Sequence, residues 1–201
     1  MRKIELTKIA SDCYIPNEKN KNNIIFDSCV YDKRLLGNSE DIEKLLLAKN
    51  IGYAYFKTKV QEREIWGVPD RTLAYKEPWT PNPNAPRIMK ILDELDVMRV
   101  SCYGHPVYFA YTILDGTYRV MDSENSLEPR VQMFYEIYNN NKRHLRDAII
   151  AEACIYNHCK LVSIDTRLIG KVNKYYENTA FHFDDFIKKI QTVDLQRGEN
   201  K

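Results

Sequence analysis

Two aspartates stand directly after short apolar segments that have the composition of buried β-strands. Asp27 follows residues 24–26 (Ile-Ile-Phe), and Asp165 follows residues 161–164 (Leu-Val-Ser-Ile). Short apolar runs of this kind predict buried strands of an α/β sheet. Ligands of open α/β sheets bind at the carboxyl ends of the strands. We therefore expect the two carboxyl groups to meet in one cleft.

A third aspartate, Asp147, opens the predicted helix that leads into the second of these strands. Its neighbours Ala148, Ala151 and Ala153 are neutral, so Asp147 does not belong to an obviously charged, solvated helix face. Carboxylates within a few ångström repel one another, and Mg²⁺ or Mn²⁺, which prefers oxygen ligands, relieves that repulsion. The chemistry that follows is attack on a phosphodiester by a metal-activated water.

The same three residues also fit a purely structural role. An aspartate at the end of a strand commonly caps the following helix or forms a turn, because its carboxylate accepts nearby backbone N–H groups. Such a residue needs neither metal nor substrate. The pattern alone leaves both roles open for Asp27, Asp147 and Asp165.

Helical and strand-like segments alternate along the chain, and this alternation predicts an α/β fold with a largely parallel sheet. Thr58 and Gln61 have the spacing of a capping box, and Ser39 is the expected N-cap of an earlier helix. The predicted strands are 24–26, 51–56, 160–164 and 181–183. The predicted helices are 39–49, 58–66, 86–96, 128–139, 145–157 and 184–191. The predicted loop is 67–86, and the predicted hairpin is 107–121.

The composition is typical of a globular domain and excludes several classes of protein. The 201 residues are 44% hydrophobic and 29% charged, and no run of 18 apolar residues predicts a transmembrane helix. With a net charge of only +2, nucleic-acid binding would need a local basic patch. Five cysteines at scattered positions, with no CxxC pair, argue against a zinc site and predict free thiols in a cytoplasmic protein.

Three segments resemble motifs of the PIN-domain nucleases. Residues 145–153 and 159–165 resemble that family's C-terminal half, where an Asp-Ala-hydrophobic-Ile-Ala helix precedes a Leu-Val-Thr-x-Asp strand. Residues 23–30 resemble its opening strand, where Asp is followed by Ser or Thr and then by apolar residues. The resemblance covers about 23–67 and 142–190. It implies a three-layer α/β/α fold with a mostly parallel central sheet, a Mg²⁺ or Mn²⁺ cofactor, and hydrolysis of single-stranded RNA.

The resemblance also implies which acids would bind the metal. Asp27 matches the first acidic ligand of the family, Asp147 the third and Asp165 the fourth. The second ligand is a Glu on the helix after the second strand, and Glu64 matches it best. Glu62 is the competitor. Residues two positions apart on a helix point about 200° away from each other, so at most one of the two faces the pocket.

Further residues receive roles from the same resemblance and from their charge. Ser28 matches a small hydroxyl group that could orient a water at the metal. Five basic residues lie near the acids in sequence and could contact RNA phosphates, although a solvated charged face is an equal interpretation: Lys142, Arg143, Arg146, Lys160 and Arg167. His144, one helical turn before Asp147, could contact a substrate phosphate, but the preferred interpretation is an exposed residue at a helix start.

The expected organisation is an N-terminal extension (1–22), a PIN-like domain (23–194) with an insertion at about 67–141, and a polar tail (195–201). Family members often act as toxins held by an antitoxin or as RNA-processing nucleases, so the expected partners are single-stranded RNA, an antitoxin or other protein, and a second copy in a homodimer. One alternative is an inactive PIN-like module that binds RNA or protein. The other is a phosphatase with an aspartyl nucleophile, for which Cys29 stands where a second Asp is expected.

Overall fold

A computed structural model describes residues 7–10, 13–68, 80–100, 128–139 and 141–198. Within these ranges the strands are β1 (Thr7–Ala10), β2 (Cys13–Ile15), β3 (Asn23–Phe26), β4 (Ala54–Lys57), β5 (Met98–Arg99), β6 (Lys160–Ser163) and β7 (Ala180–His182). The helices are α1 (Ser28–Val30), α2 (Ser39–Asn50), α3 (Lys59–Ile65), α4 (Ala85–Glu94), α5 (Pro129–Tyr138), α6 (Leu145–Tyr156), α7 (Thr166–Tyr175) and α8 (Phe183–Gly198). A π-helical turn (Tyr31–Leu35) follows α1, and a 3₁₀ turn (Lys142–His144) precedes α6.

The central sheet contains β3 to β7, which all run parallel in the order β5-β4-β3-β6-β7. From β3 the chain adds strands outward on one side, and then it crosses back to add β6 and β7 on the other. The direction of winding therefore reverses between β3 and β6, where Ile25 is paired with Leu161. Ligands of open α/β sheets bind in the crevice outside the carboxyl ends of the strands at such a reversal.

Two hydrophobic cores lie on opposite faces of this sheet, because successive strand residues point to opposite sides. Ile25 of β3 packs in one core, together with buried residues of α5, α6 and α7. Its neighbours Ile24 and Phe26 pack in the other core, together with α2, α4 and α8. Helices thus cover both faces of a parallel sheet, which confirms the predicted three-layer α/β/α class.

The cap of α2 differs from the prediction, which was wrong about Ser39. Asn38 is the N-cap, and its side-chain oxygen accepts a 3.2 Å hydrogen bond from the Asp41 N–H. Ser39 is the first helical residue and is exposed. Asn and Ser have similar capping propensities, so composition alone does not choose between adjacent candidates.

Other element boundaries also differ from the predicted ones. The strand predicted at 51–56 begins only at Ala54, because Ile51 and Gly52 close α2 through hydrogen bonds to the carbonyls of Ala48 and Lys49. The last helix, α8, extends into the segment expected to be a polar tail. Neither β5 nor α7 was predicted, and the two residues of β5 are too few to carry a periodic pattern.

The N-terminal segment, expected to be an extension, forms an antiparallel pair of strands, β1 and β2. Tyr14 of β2 also makes a bridge with Val100, which follows the edge strand β5. The predicted hairpin at 107–121 and most of the predicted loop at 67–86 lie outside the described residues. Of the helices described, none combines the length and apolar character needed to cross a bilayer.

Candidate functional site

Asp27 stands where β3 ends, beside the reversal of the sheet, and is only 6% exposed. Its N–H donates to the Val162 carbonyl at 2.8 Å, which continues the pairing of β3 with β6. Its carboxylate makes no capping hydrogen bond to α1. Instead, Oδ2 accepts hydrogen bonds from Ser163 Oγ at 2.7 Å and from the Cys29 thiol at 2.9 Å. Helix capping therefore does not explain an aspartate at this position.

Asp165, two residues beyond β6, does cap a helix. Its Oδ1 accepts hydrogen bonds from the N–H groups of Arg167 at 2.8 Å and Leu168 at 3.3 Å at the start of α7. Burial pulls the pKa of Asp165 upward, but hydrogen bonds from the Arg167 side chain and from these backbone groups outweigh it and hold the pKa below its usual value. The capping role left open by the sequence thus applies to Asp165.

The hydroxyl of Ser163 joins these two acids. It donates to Asp27 Oδ2 and accepts a 3.0 Å hydrogen bond from the Asp165 N–H. Ser163 is fully buried at the end of β6. Because a hydroxyl can donate one hydrogen bond and accept others, this single residue ties the ends of β3 and β6 together.

Glu64 is positioned through the capping box of α3. Thr58 Oγ1 accepts from the Gln61 N–H at 3.2 Å, and Gln61 Oε1 accepts from the Thr58 N–H at 2.8 Å, as the sequence predicted. Gln61 Nε2 also donates to the carbonyl of Phe26, the residue before Asp27. Residues three apart share a helix face, so Glu64 lies on the side of α3 that is anchored to the end of β3.

Glu62, the competing acid, takes part in an ion-pair network. Its carboxylate lies 3.2 Å from the ammonium of Lys57 and also pairs with the guanidinium of Arg99. Lys57 ends β4 and Arg99 ends β5, so this network ties α3 to neighbouring strands. Glu62 therefore has a structural role, and Glu64 is the acid whose charge acts on Asp147.

Asp147, in the first turn of α6, is the electrostatic centre of the group. Burial raises the pKa of its carboxyl group, and the charges of Asp27, Glu64 and Asp165 raise it further, to about 7 despite the opposing charge of Arg167. An ordinary aspartate titrates about three pH units lower. The structure thus brings the other three predicted acids within electrostatic range of Asp147.

Two further side chains surround Asp27. The hydroxyl of Ser28, the next residue, is buried and has no hydrogen-bond partner among the described residues. Burial, and then the charge of Asp27, raise the pKa of the Cys29 thiol to about 12. The thiol therefore stays protonated near neutral pH and acts as a donor to Asp27 rather than as a nucleophile.

A cleft of about 60 Å³ opens beside Asp147 and Asp165. Its lining includes three basic side chains, those of His144, Arg167 and Lys171. His144 is half-buried rather than exposed, which corrects the interpretation from sequence. Arg167 is 79% exposed, with Nη2 3.3 Å from Asp165 Oδ2.

The other predicted phosphate contacts are less informative, and Lys160 lies at the start of β6, away from the acids. Arg146 precedes Asp147 on α6 and is half-buried, and it does not line the cleft. Lys142 belongs to the 3₁₀ turn before α6, and its side chain lies outside the described part of the structure. Their roles, like those of the four acids and Ser28, stay predictions.

Sequence reasoning missed Ser163 and Lys171. Ser163 precedes Asp165 by two positions and occupies the place of the Thr in the Leu-Val-Thr-x-Asp motif, and this hydroxyl position was the available signal for it. Lys171 follows Arg167 by four positions on α7, a spacing that places both on one helix face. That spacing was the available signal for Lys171, whose ammonium donates to the Glu136 carbonyl at 2.9 Å.

A divalent cation fits the chemical type of this site. Four carboxylates and a buried hydroxyl are the oxygen donors that Mg²⁺ and Mn²⁺ prefer. Among the described residues, however, no three His, Cys, Asp or Glu side chains already form a group that could hold a metal ion. The carboxylates are near enough to shift the pKa of Asp147, and metal binding would require their side chains to turn toward one point.

No protein-family model matches the chain, and a search of curated proteins gives no match.

Proposed function

We propose that the protein is a divalent-metal-dependent endoribonuclease that hydrolyses phosphodiester bonds of single-stranded RNA. The observation that carries the proposal is the Asp147 carboxyl group, with a pKa of about 7 caused by burial and by three neighbouring acids. Bringing these acids together costs the folded chain free energy. A divalent cation removes that cost, so the grouping is better explained by metal binding than by stability.

Asp27, Glu64, Asp147 and Asp165 would hold the Mg²⁺ or Mn²⁺ ion. When bound, the ion would lower the pKa of a water and stabilise the negative charge that develops on the phosphate. The hydroxyl of Ser28 would orient that water, because it is buried and has no partner in the described part of the chain. Ser163 would hold the Asp27 carboxylate in place through its 2.7 Å hydrogen bond.

The basic side chains of the cleft supply the substrate contacts in this proposal. Arg167 and Lys171 would bind the RNA phosphates next to the scissile bond, and Lys142 and Arg146 would contact neighbouring ones.

Two independent features support the same proposal. The crevice lies at the reversal of a parallel sheet, where ligands of such folds bind. The segments that supply Asp27, Asp147 and Asp165 are also those that resemble PIN-domain motifs. The roles of toxin or RNA-processing nuclease, an antitoxin partner and a homodimer belong to the proposal through that resemblance alone.

The test is cleavage of an end-labelled single-stranded RNA with Mn²⁺, with Mg²⁺ and with EDTA. We expect cleavage with either metal and none with EDTA. Asp147→Asn should slow cleavage by about 100-fold or more. Asp185→Asn is the matched control, because Asp185 is an exposed aspartate on α8 outside the acidic group, and it should cleave like the wild type. Binding of RNA without cleavage under any metal would contradict the proposal and indicate an inactive binding module.

A further inference from the structure

Three lysines line one shallow hollow at the amino end of the sheet, the end opposite the acidic group. Lys160 is the first residue of β6, Lys21 stands just before β3, and Lys189 lies on α8. The aromatic ring of Phe181, from the edge strand β7, forms part of the same wall. β6 is four residues long, so this hollow lies about 13 Å from the carboxyl end of the strand.

Two of the ammonium groups are arranged around a single ring. Lys160 Nζ lies 5.6 Å from the centroid of Phe181, and Lys189 Nζ lies 5.2 Å from it. Cation–π contacts of this length are favourable but do not neutralise charge. Burial lowers the pKa of Lys160, and the charges of Lys189 and Lys21 lower it further, which agrees with three like charges at close range.

In the described part of the chain, no acid that lines the hollow balances these charges. Among the described residues that line it, the others are Asn22, Ile24, Tyr53 and Phe186, none of which is acidic. An adjoining cleft of about 400 Å³ shares Lys21 and Lys160 with the hollow, and its lining includes the carboxylate of Glu18. Glu18 lies 3.4 Å from the imidazole of His158, which lines the same cleft.

We propose that this lysine hollow binds phosphate groups of single-stranded RNA, as a second site separate from the acidic cleft. An ammonium is a point charge without the fixed fork of a guanidinium, so it suits backbone phosphates in many orientations. Lys21 and Lys160 border both the hollow and the adjoining cleft, and Lys189 borders the hollow, and such a spread matches successive phosphates of a strand better than one isolated phosphate. RNA as the ligand rests on the proposed function, but the binding itself needs neither metal nor cleavage.

The experiment measures the affinity of a short fluorescent single-stranded RNA in EDTA by anisotropy, over a series of salt concentrations. Lys189→Gln should weaken binding by about fivefold at low salt and reduce the salt slope by about 0.7. Lys188→Gln is the matched control, because Lys188 is the adjacent exposed lysine on α8 and does not line the hollow. It should bind like the wild type. Equal affinities for the two variants would overturn the proposal.

Combining Lys21→Gln, Lys160→Gln and Lys189→Gln should weaken RNA binding further while leaving the melting temperature unchanged or raised, since the substitutions remove repulsion. Inorganic phosphate should compete only at concentrations far above those of the RNA phosphates. Competition at equal concentration would assign the hollow to a small phosphorylated ligand and overturn the RNA assignment. The protein could fail to cleave RNA under every condition and still bind RNA less tightly with Lys189→Gln but not with Lys188→Gln. That result would refute the proposed nuclease activity and support the lysine site.

Discussion

Ser163 and Asp27, 136 positions apart in the chain, are joined by a 2.7 Å hydrogen bond from the serine hydroxyl to the buried carboxylate. The two residues lie at the ends of neighbouring strands at the point where the winding of the sheet reverses. The same hydroxyl accepts the N–H of Asp165. Two of the four acids are therefore fixed relative to each other by one fully buried side chain.

Removing this hydroxyl should loosen the acidic group. Ser163→Ala leaves the buried Asp27 carboxylate without its shortest hydrogen bond, so we expect a loss of about 1–3 kcal/mol in the free energy of unfolding, measured by urea denaturation. Cys29→Ala removes the other donor to the same oxygen and is the control. Because a thiol is a weak donor, Cys29→Ala should lower the free energy of unfolding by less than Ser163→Ala does. A larger loss for Cys29→Ala would contradict the role assigned to Ser163.

The stability of the metal-free protein should depend on the charge of Asp147. Its folded-state pKa of about 7 lies above the ordinary value of 3.8, so the folded protein binds more protons between these pH values and loses stability as the pH rises through them. Asp147→Asn cannot lose that proton. The unfolding free energy of Asp147→Asn should exceed that of the wild type by almost nothing at pH 4. This difference should grow up to about pH 7 and stay constant above it.

This dependence is measured by urea denaturation in EDTA at a series of pH values. Asp185 is an exposed aspartate outside the acidic group, so the stability difference between Asp185→Asn and the wild type should not grow with pH. A difference between Asp147→Asn and the wild type that is the same at every pH would mean that Asp147 titrates normally.

Two substitutions at Asp165 separate helix capping from a role in the reaction. Asp165→Ala removes the acceptor for the N–H groups of Arg167 and Leu168 and should cost about 1 kcal/mol of stability at pH 7. Asp165→Asn keeps a capping side chain and should cost much less. Both should lose RNA cleavage, because both remove the carboxylate. Full cleavage by Asp165→Asn would reduce Asp165 to a cap.

Glu62 and Glu64 should respond in opposite ways. Glu62→Gln breaks the ion pairs with Lys57 and Arg99, so we expect a loss of roughly 2 kcal/mol in unfolding free energy with cleavage retained in the folded fraction. Glu64→Gln removes a charge that repels Asp147, so it should leave stability unchanged or raised and abolish cleavage. Inactive Glu62→Gln together with active Glu64→Gln would exchange the two roles.

The sequence predicted the fold class because most strands and helices of the fold can be recognised from local patterns of apolar and capping residues. The apolar runs ending at Asp27 and Asp165 are buried strands, and the capping box at Thr58 and Gln61 is formed as expected. The predicted element boundaries were wrong where two neighbouring residues are almost equally good helix caps, as are Asn38 and Ser39. The short strand β5 exists only through its pairing with β4, which no local pattern reports.

The candidate site was predicted less completely. The positions of Asp27, Asp147 and Asp165 followed from strand ends and a helix start. Helix geometry allowed at most one of Glu62 and Glu64 to face the pocket, and the preference for Glu64 came from the family resemblance. The Ser163 hydrogen bond and the placement of Lys171 depend on which strands and helices become neighbours, so they needed the structure. Whether Asp165 caps a helix likewise depends on where α7 begins, which the sequence did not predict.

The central claim is that four acids form one divalent-cation site, and calorimetric titration with Mn²⁺ tests it most directly. Ligands release their protons when a metal binds, and near neutral pH Asp147 is partly protonated. Titrations at pH 7 in buffers of different ionisation enthalpy should show Mn²⁺ binding with release of a fraction of a proton, and this released fraction should decrease as the pH is raised. In Asp147→Asn that release should be absent and the affinity much lower. No saturable binding by the wild type, or equal binding and proton release by Asp147→Asn, would contradict the account.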